Sequence, residues 1–266
     1  GEQTAMNHLP ILPILLPSLT GTLMLLPPLS KSLKARRWIT CTVLIMLMVI
    51  VAVLFLSAHR QTITYALGGW QPPFGIVLVV DRFSALLLAV TAILAFCAGI
   101  YSADQEDRQS SLFYPLLLFQ VMGINGAFLT GDLFNLFVFF EMLLIASYAL
   151  LIHGGGSERT KAGFHYVTLN LIGSALFLVA LGTLYGTMGT LNMADMSSKV
   201  GFLLPEDQVL AKTGGLLLLL VFSLKSALLP LHFWLPKTYS AASASVVALF
   251  AVMTKVGFYS ICRVFA

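Results

Sequence analysis

Residues 222–236 read FSLKSALLPLHFWLP, and this stretch decides the fold because it interrupts an apolar segment with an amine and a proline. The preceding residues, 214–221, read GGLLLLLV, an uncharged run that favours a helix in hydrocarbon. Pro230 has no backbone N–H, so the carbonyl of Ser226 loses its helical partner and the helix is expected to bend or open there. Lys225 is then predicted to lie about halfway along a broken spanning helix.

Polar groups at such a break suggest a function. A freed carbonyl, the Lys225 ammonium and the imidazole of His232 can hold water or a small cation where neighbouring helices shield them from lipid. A kinked helix whose lysine reaches the membrane surface is the alternative interpretation.

The composition identifies the class of protein. Of 266 residues, 58% are hydrophobic and 10% charged, and the mean hydropathy is +0.92. An ordinary soluble domain carries about 25% charged residues. The net charge of +4 is spread over loops, which gives no case for a nucleic-acid partner. Cys41, Cys97 and Cys262 lie far apart in apolar runs and indicate neither a disulfide framework nor a metal site.

The apolar runs predict an all-α, multi-pass membrane protein with about eight transmembrane helices, the seventh of them broken. Their residue ranges are 9–26, 38–56, 82–101, 112–129, 132–152, 162–185, 214–236 and 240–265. The first run is expected to be a retained span, because no Lys or Arg precedes it. Alternation and Gly-Gly and Pro-Pro pairs in residues 57–80 indicate a small hairpin at the outer surface.

Three further local predictions follow from loop composition. The basic loop KSLKARR, residues 31–37, is expected on the cytoplasmic side, which places the N-terminus outside. Residues 193–211 are expected to include a short interfacial helix, and Asp132 to cap the fifth spanning helix.

Glu141, within FNLFVFFEMLLIASY, is predicted to lie deep in a span. An ionised group at the centre of a span costs about 2.5–3.5 kcal/mol, so Glu141 and Lys225 are expected to pair. Burial disfavours the charged forms of both groups, whereas their mutual attraction favours them. Such a balance suits a proton relay. A static ion pair that holds two helices together is the alternative.

Lys255, within ALFAVMTKVGFYS, has no second buried carboxylate as a partner and is predicted to receive a proton through His232 or bound water. It could instead reach an interface. Ser226, Thr254 and His165 are possible accessory groups, and His165 could equally be interfacial. The histidines show no metal-ligand spacing, and the chain shows no cofactor motif or nucleophile typical of an enzyme.

Three long motifs carry a family resemblance. Residues 78–88 (LVVDRFSALLL), 130–150 (TGDLFNLFVFFEMLLIASYAL) and 221–261, which begin VFSLKSALLPLHFWLPK, resemble the antiporter-like membrane proteins shared by respiratory complex I and Mrp-type multisubunit sodium/proton antiporters. Within that family these residues are most similar to the Mrp D subunits. The SAASAS stretch departs from the more proline-containing segment of the family, so the start of the eighth helix is less well defined.

The resemblance implies roles and a layout. It implies that Glu141 and Lys225 form the pair that drives translocation, that Lys255 continues the path, and that His232 links them. It implies three N-terminal helices with the hairpin in residues 1–111 and a five-helix antiporter-type repeat, helices four to eight, in residues 112–266. A second repeat is absent, so we expect a fragment of a longer subunit, with a half-length relative as the alternative.

The function expected from this resemblance is a proton-translocating subunit of a multisubunit sodium/proton antiporter. It would work with other subunits, sodium ions and protons in the inner or plasma membrane of a prokaryote, as a transporter subunit without cofactor or metal. One alternative is a proton-pumping subunit of complex I or a related membrane hydrogenase. A scaffold subunit that transports nothing is the other.

Overall fold

The computed structural model describes residues 8–70, 75–103, 106–108 and 110–265. Within these residues the chain forms ten α-helices and one two-stranded sheet. The elements, in chain order, are α1 (Leu12–Met24), α2 (Leu33–Arg60), β1 (Ile63–Ala66), β2 (Val77–Val80), α3 (Arg82–Tyr101), α4 (Phe113–Leu129), α5 (Leu133–Ile152), α6 (Ser157–Met188), α7 (Met193–Lys199), α8 (Pro205–Lys225), α9 (Leu235–Ala241) and α10 (Ala244–Phe265).

Six of these helices are long and apolar enough to cross a membrane: α2, α3, α5, α6, α8 and α10. Two shorter apolar helices, Leu9–Met24 and Phe113–Leu129, complete the set at the positions where the sequence predicts spans. The chain is therefore a helical, multi-pass membrane protein. The predicted interfacial helix is also present as the short α7.

The predicted hairpin is confirmed as a pair of short strands. β1 runs antiparallel to β2, with Ile63 opposite Val80 and Ala66 opposite Val77. The Pro-Pro pair of the predicted hairpin lies outside the described residues. This hairpin is the exception to the all-α prediction within the described ranges.

Three helices begin earlier than hydropathy predicts. α2 begins at Leu33 inside the basic segment predicted as a loop, because the Ser32 side chain accepts a hydrogen bond from the backbone N–H of Ala35 (3.3 Å). α6 begins at Ser157 and α8 at Pro205. The predicted start of the seventh span at residue 214 is therefore wrong, because the polar residues before it form the first turns of α8.

α4 is the most enclosed of the apolar helices, and its neighbours are α5, α1, α3 and α10. Close approach to α5 depends on Gly123, where an added Cβ would lie 2.7–2.9 Å from three atoms of Leu143. α6 packs along α8, and α10 packs against α3 and α8. These contacts place α6 and α10 beside α8, and α5 packs against α6.

Ion pairs outside the spans tie the helix ends together. Arg37 of α2 contacts Asp107 through Nε (2.5 Å) and Nη2 (2.9 Å), and the Tyr114 hydroxyl donates to the same carboxylate (2.8 Å). Burial by itself would raise the pKa of Asp107, but the hydrogen bonds from Arg37 and Tyr114 hold it below the usual value. At the other end, Asp81 caps α3 and forms an ion pair with Arg263 of α10.

Candidate functional site

The seventh spanning segment is interrupted, as predicted, but the interruption begins earlier than expected. α8 ends at Lys225, and helix resumes only at Leu235, the first residue of α9. Ala227 adopts a left-handed conformation (φ 54°), which stops α8 before Pro230 is reached. Lys225 does lie about halfway along the broken segment formed by α8 and α9, but it is the last residue of α8 because the break begins directly after it. α9 also takes residues 240 and 241 from the predicted eighth helix, so α10 begins at Ala244.

Two backbone carbonyls in the last turn of α8 accept hydrogen bonds from residues at the break. The backbone N–H and the hydroxyl of Ser226 both donate to the carbonyl of Phe222, at 2.8 and 2.6 Å. Indole Nε1 of Trp234, from the far side of the break, donates to the carbonyl of Leu224 at 2.9 Å. The indole supplies a donor from beyond the break to a carbonyl in the last turn of α8, which helps the helix to end inside the bundle.

Gly257 brings α10 against this break. A Cβ added at Gly257 would lie 2.8 Å from the backbone nitrogen of Ser226 and 3.0 Å from the carbonyl oxygen of Phe222. Both are backbone atoms and cannot rotate away. Only glycine allows the two helices to approach so closely at the point where α8 stops.

Lys225 is buried without a polar partner. Lys225 is 5% exposed, and its Nζ has no hydrogen bond to any described residue. The ammonium lies 5.1 Å from the ring centroid of Phe140 on α5. A cation over an aromatic face is only weakly stabilised. This contact therefore offsets little of the hydration free energy that Lys225 loses on burial.

Glu141 follows Phe140 on α5, but the direct ion pair expected between Glu141 and Lys225 is not formed. No salt bridge within 4.0 Å joins the two among the described residues. The carboxylate is half-buried and accepts a hydrogen bond from the hydroxyl of Ser174 on α6. The acid is thus held by α6, while the amine contacts the ring of the neighbouring residue on α5.

The other predicted site residues make no hydrogen bond, ion pair or ring contact with Glu141 or Lys225 in the described ranges. Lys255 lies midway along α10 but is exposed, and Nζ contacts the Thr254 hydroxyl at 3.3 Å. His232 is exposed within the break. His165 is partly buried on α6, and its ring packs edge-on against Phe233 with a centroid distance of 6.4 Å.

A second buried polar cluster was not predicted from the sequence. The hydroxyl of Tyr166 on α6 lies 3.0 Å from that of Ser147 on α5 and 3.5 Å from Sδ of Met253 on α10. Gln120 of α4 donates from Nε2 to the same sulfur at 3.5 Å. Serine is common in membrane spans for packing alone, so its presence carries no signal of this contact.

An apolar helical bundle that buries ionisable groups beside an interrupted helix defines the class of secondary-transporter-like membrane proteins. The family model described as NADH:quinone oxidoreductase/Mrp antiporter, TM, matches residues 130–266. The chain belongs to this family.

Individual relatives agree with the family. The chain is 45% identical to the probable D subunit of a K(+)/H(+) antiporter from Rhizobium meliloti (strain 1021) over 263 residues, which cover 97% of this chain and 49% of that protein. It is 44% identical to the D subunit of the Na(+)/H(+) antiporter from Bacillus subtilis (strain 168), over 98% of this chain and 53% of that protein. The chain thus spans about half the length of these relatives.

The fold is similar to that of a chain in the solved Mrp complex from Dietzia sp. DQ12-45-1b. The TM-score is 0.89 at 27% identity, and the match covers 98% of this chain and 49% of that one. The sequence resemblance to the Mrp D subunits is confirmed by these comparisons.

Proposed function

We propose that this chain is part of the proton-translocating D subunit of a multisubunit cation/proton antiporter, with Glu141 and Lys225 as its coupling groups. The observation that carries the proposal is Lys225, an amine that is buried without a hydrogen-bond partner in the described structure. A buried amine of this kind changes its charge readily and needs an acid or water to do so. Glu141 is the carboxylate whose charge acts on it.

The proposed layout follows the same residues. The region from α4 to α10 would form one antiporter-type repeat, with protons reaching Lys225 at the break and leaving towards Lys255. His232, His165, Ser226 and Thr254 would hold water along the way. The cation is a monovalent one, because one relative is named for potassium/proton exchange and the other for sodium/proton exchange.

The proposed setting is a prokaryotic cell membrane, with other antiporter subunits as partners. The similarity to a chain of the solved Mrp complex supports such an assembly. The exposed apolar side chains along the spanning helices suit contact with lipid or neighbouring subunits.

The test is cation/proton exchange in vesicles that carry the complete complex. Glu141→Gln and Lys225→Gln remove the two charges with little change in size and are expected to abolish exchange. Glu158→Gln and Lys161→Gln are matched controls, because they make the same changes in an exposed ion pair (3.2 Å) at the start of α6. Exchange at the wild-type rate in either site variant, with normal assembly, would refute the proposal.

A proton-pumping subunit of complex I or a membrane hydrogenase is the second candidate, because the matching family includes NADH:quinone oxidoreductases. Redox subunits that co-purify with the protein would favour it. A scaffold role requires the buried charges to hold helices together, yet Glu141 and Lys225 form no salt bridge in the part of the chain described. Exchanging the two residues should preserve function in a scaffold and impair it in a relay.

A further inference from the structure

The Glu141 carboxylate has two competing donors within its site. One is the Ser174 hydroxyl of α6, which donates to Oε1. The other is the ammonium of Lys225 on α8, which acts on Glu141 by charge but is not hydrogen-bonded to it. A hydroxyl and an ammonium are both good donors to a carboxylate, so the donor that Glu141 takes decides whether the ion pair forms.

Both competing arrangements are anchored on adjacent residues of α5. Phe140 provides the ring over which the Lys225 ammonium lies, and Glu141 provides the carboxylate that Ser174 holds. The carboxylate is therefore held on the α6 side, while the residue before it contacts the amine of α8.

We propose that Ser174 is a positioning residue that holds Glu141 towards α6 and keeps Lys225 unpaired, and that Glu141 alternates between Ser174 and Lys225 during transport. This inference rests on the proposed function. While Ser174 holds the carboxylate, Lys225 can exchange its proton with water. When Glu141 turns to Lys225, the two opposite charges form an ion pair, and Lys225 no longer exchanges its proton with water.

Glu141 forms no ion pair in the part of the chain described. Lys225 on α8 and Tyr148 on α5 are two titratable groups on which its charge acts. The α6 contact contributes a hydroxyl without charge. Loss of that hydroxyl therefore leaves Lys225 as the cationic donor available to the carboxylate.

The experiment uses the complete complex in vesicles and compares Ser174→Ala, Ser174→Thr and Ser147→Ala. Ser147 is a matched control because its buried hydroxyl bonds Tyr166 and the carbonyl of Leu144, not Glu141. We expect Ser174→Ala to slow exchange about tenfold and to alter its pH profile, because a hydrogen bond to a charged group changes an equilibrium by about that factor or more. Ser174→Thr should restore both properties, and Ser147→Ala should leave them as in the wild type.

Infrared difference spectra separate positioning from a loss of structure. The carboxylate band of Glu141 is assigned by its absence in Glu141→Gln. This band should shift in Ser174→Ala and return to its wild-type position in Ser174→Thr. An unchanged band together with a wild-type rate and pH profile in Ser174→Ala would overturn the inference. The proposed function fails separately, if Glu141→Gln itself retains exchange.

Discussion

The contact between α10 and the end of α8 gives a sharp prediction at Gly257. In Gly257→Ala, the new Cβ would lie 2.8 Å from the nitrogen of Ser226 and 3.0 Å from the oxygen of Phe222, whereas ordinary contact begins at 3.4 Å. The helices must therefore separate by about half an ångström at the break. Overpacking of this kind costs about 1–3 kcal/mol.

The same substitution also removes a glycine from a helix, which by itself stabilises by about 1 kcal/mol. Gly182→Ala isolates that effect, because nothing lies within 4 Å of a Cβ added at Gly182 in α6. Gly173→Ala is an intermediate case, since its new Cβ would meet a side-chain atom of Leu224 at 3.1 Å, which can move. The difference between the Gly257 and Gly182 variants should therefore equal the packing cost, about 1–3 kcal/mol.

The assay is the thermal unfolding midpoint of the purified complex, with exchange measured in parallel. The Gly257 variant should unfold a few degrees below the Gly182 variant, with Gly173→Ala between them. Exchange should fall only in Gly257→Ala, because it displaces the break that holds Lys225. Equal midpoints for the Gly257 and Gly182 variants would refute the close approach on which this reasoning depends.

Three further predictions concern buried polar groups. Lys225→Met should raise the unfolding midpoint by a few degrees and abolish exchange, because it removes a buried amine that lacks a partner. Asp107→Asn should lower the midpoint at neutral pH; since the folded pKa of Asp107 is depressed, this difference should shrink as the pH falls below about 4. Tyr166→Phe should cost about 1 kcal/mol in unfolding measurements, because the hydroxyl of Ser147 loses its side-chain partner.

Hydropathy predicts where the spanning helices lie but not where they end. The apolar runs correspond to the eight apolar helices, because a hydrocarbon core selects for composition along about 20 residues. The ends are set by local chemistry that continues beyond the membrane. Ser32 caps α2, and Pro205 opens α8 with Glu206 and Asp207 in its first turn, so both helices extend into polar sequence.

The two candidate coupling residues can be singled out from the sequence, while their contacts cannot. Glu141 and Lys225 stand out because charges in apolar runs are costly and therefore few. The role of Ser174 depends on which hydroxyl of α6 faces the carboxylate, and that is decided by how α5 and α6 pack. The close approach of α10 to the end of α8 likewise depends on Gly257, which lies far from Lys225 in the sequence.

The hydrogen bonds at the break show how the fold treats Lys225. The last carbonyls of α8 form the negative end of a helix dipole, where a lysine would ordinarily find acceptors. Here Ser226 and Trp234 occupy the carbonyls of Phe222 and Leu224. The ammonium does not bond these carbonyls and lies over the ring of Phe140. A buried amine without an acceptor supports the proposal that Lys225 exchanges its proton during transport.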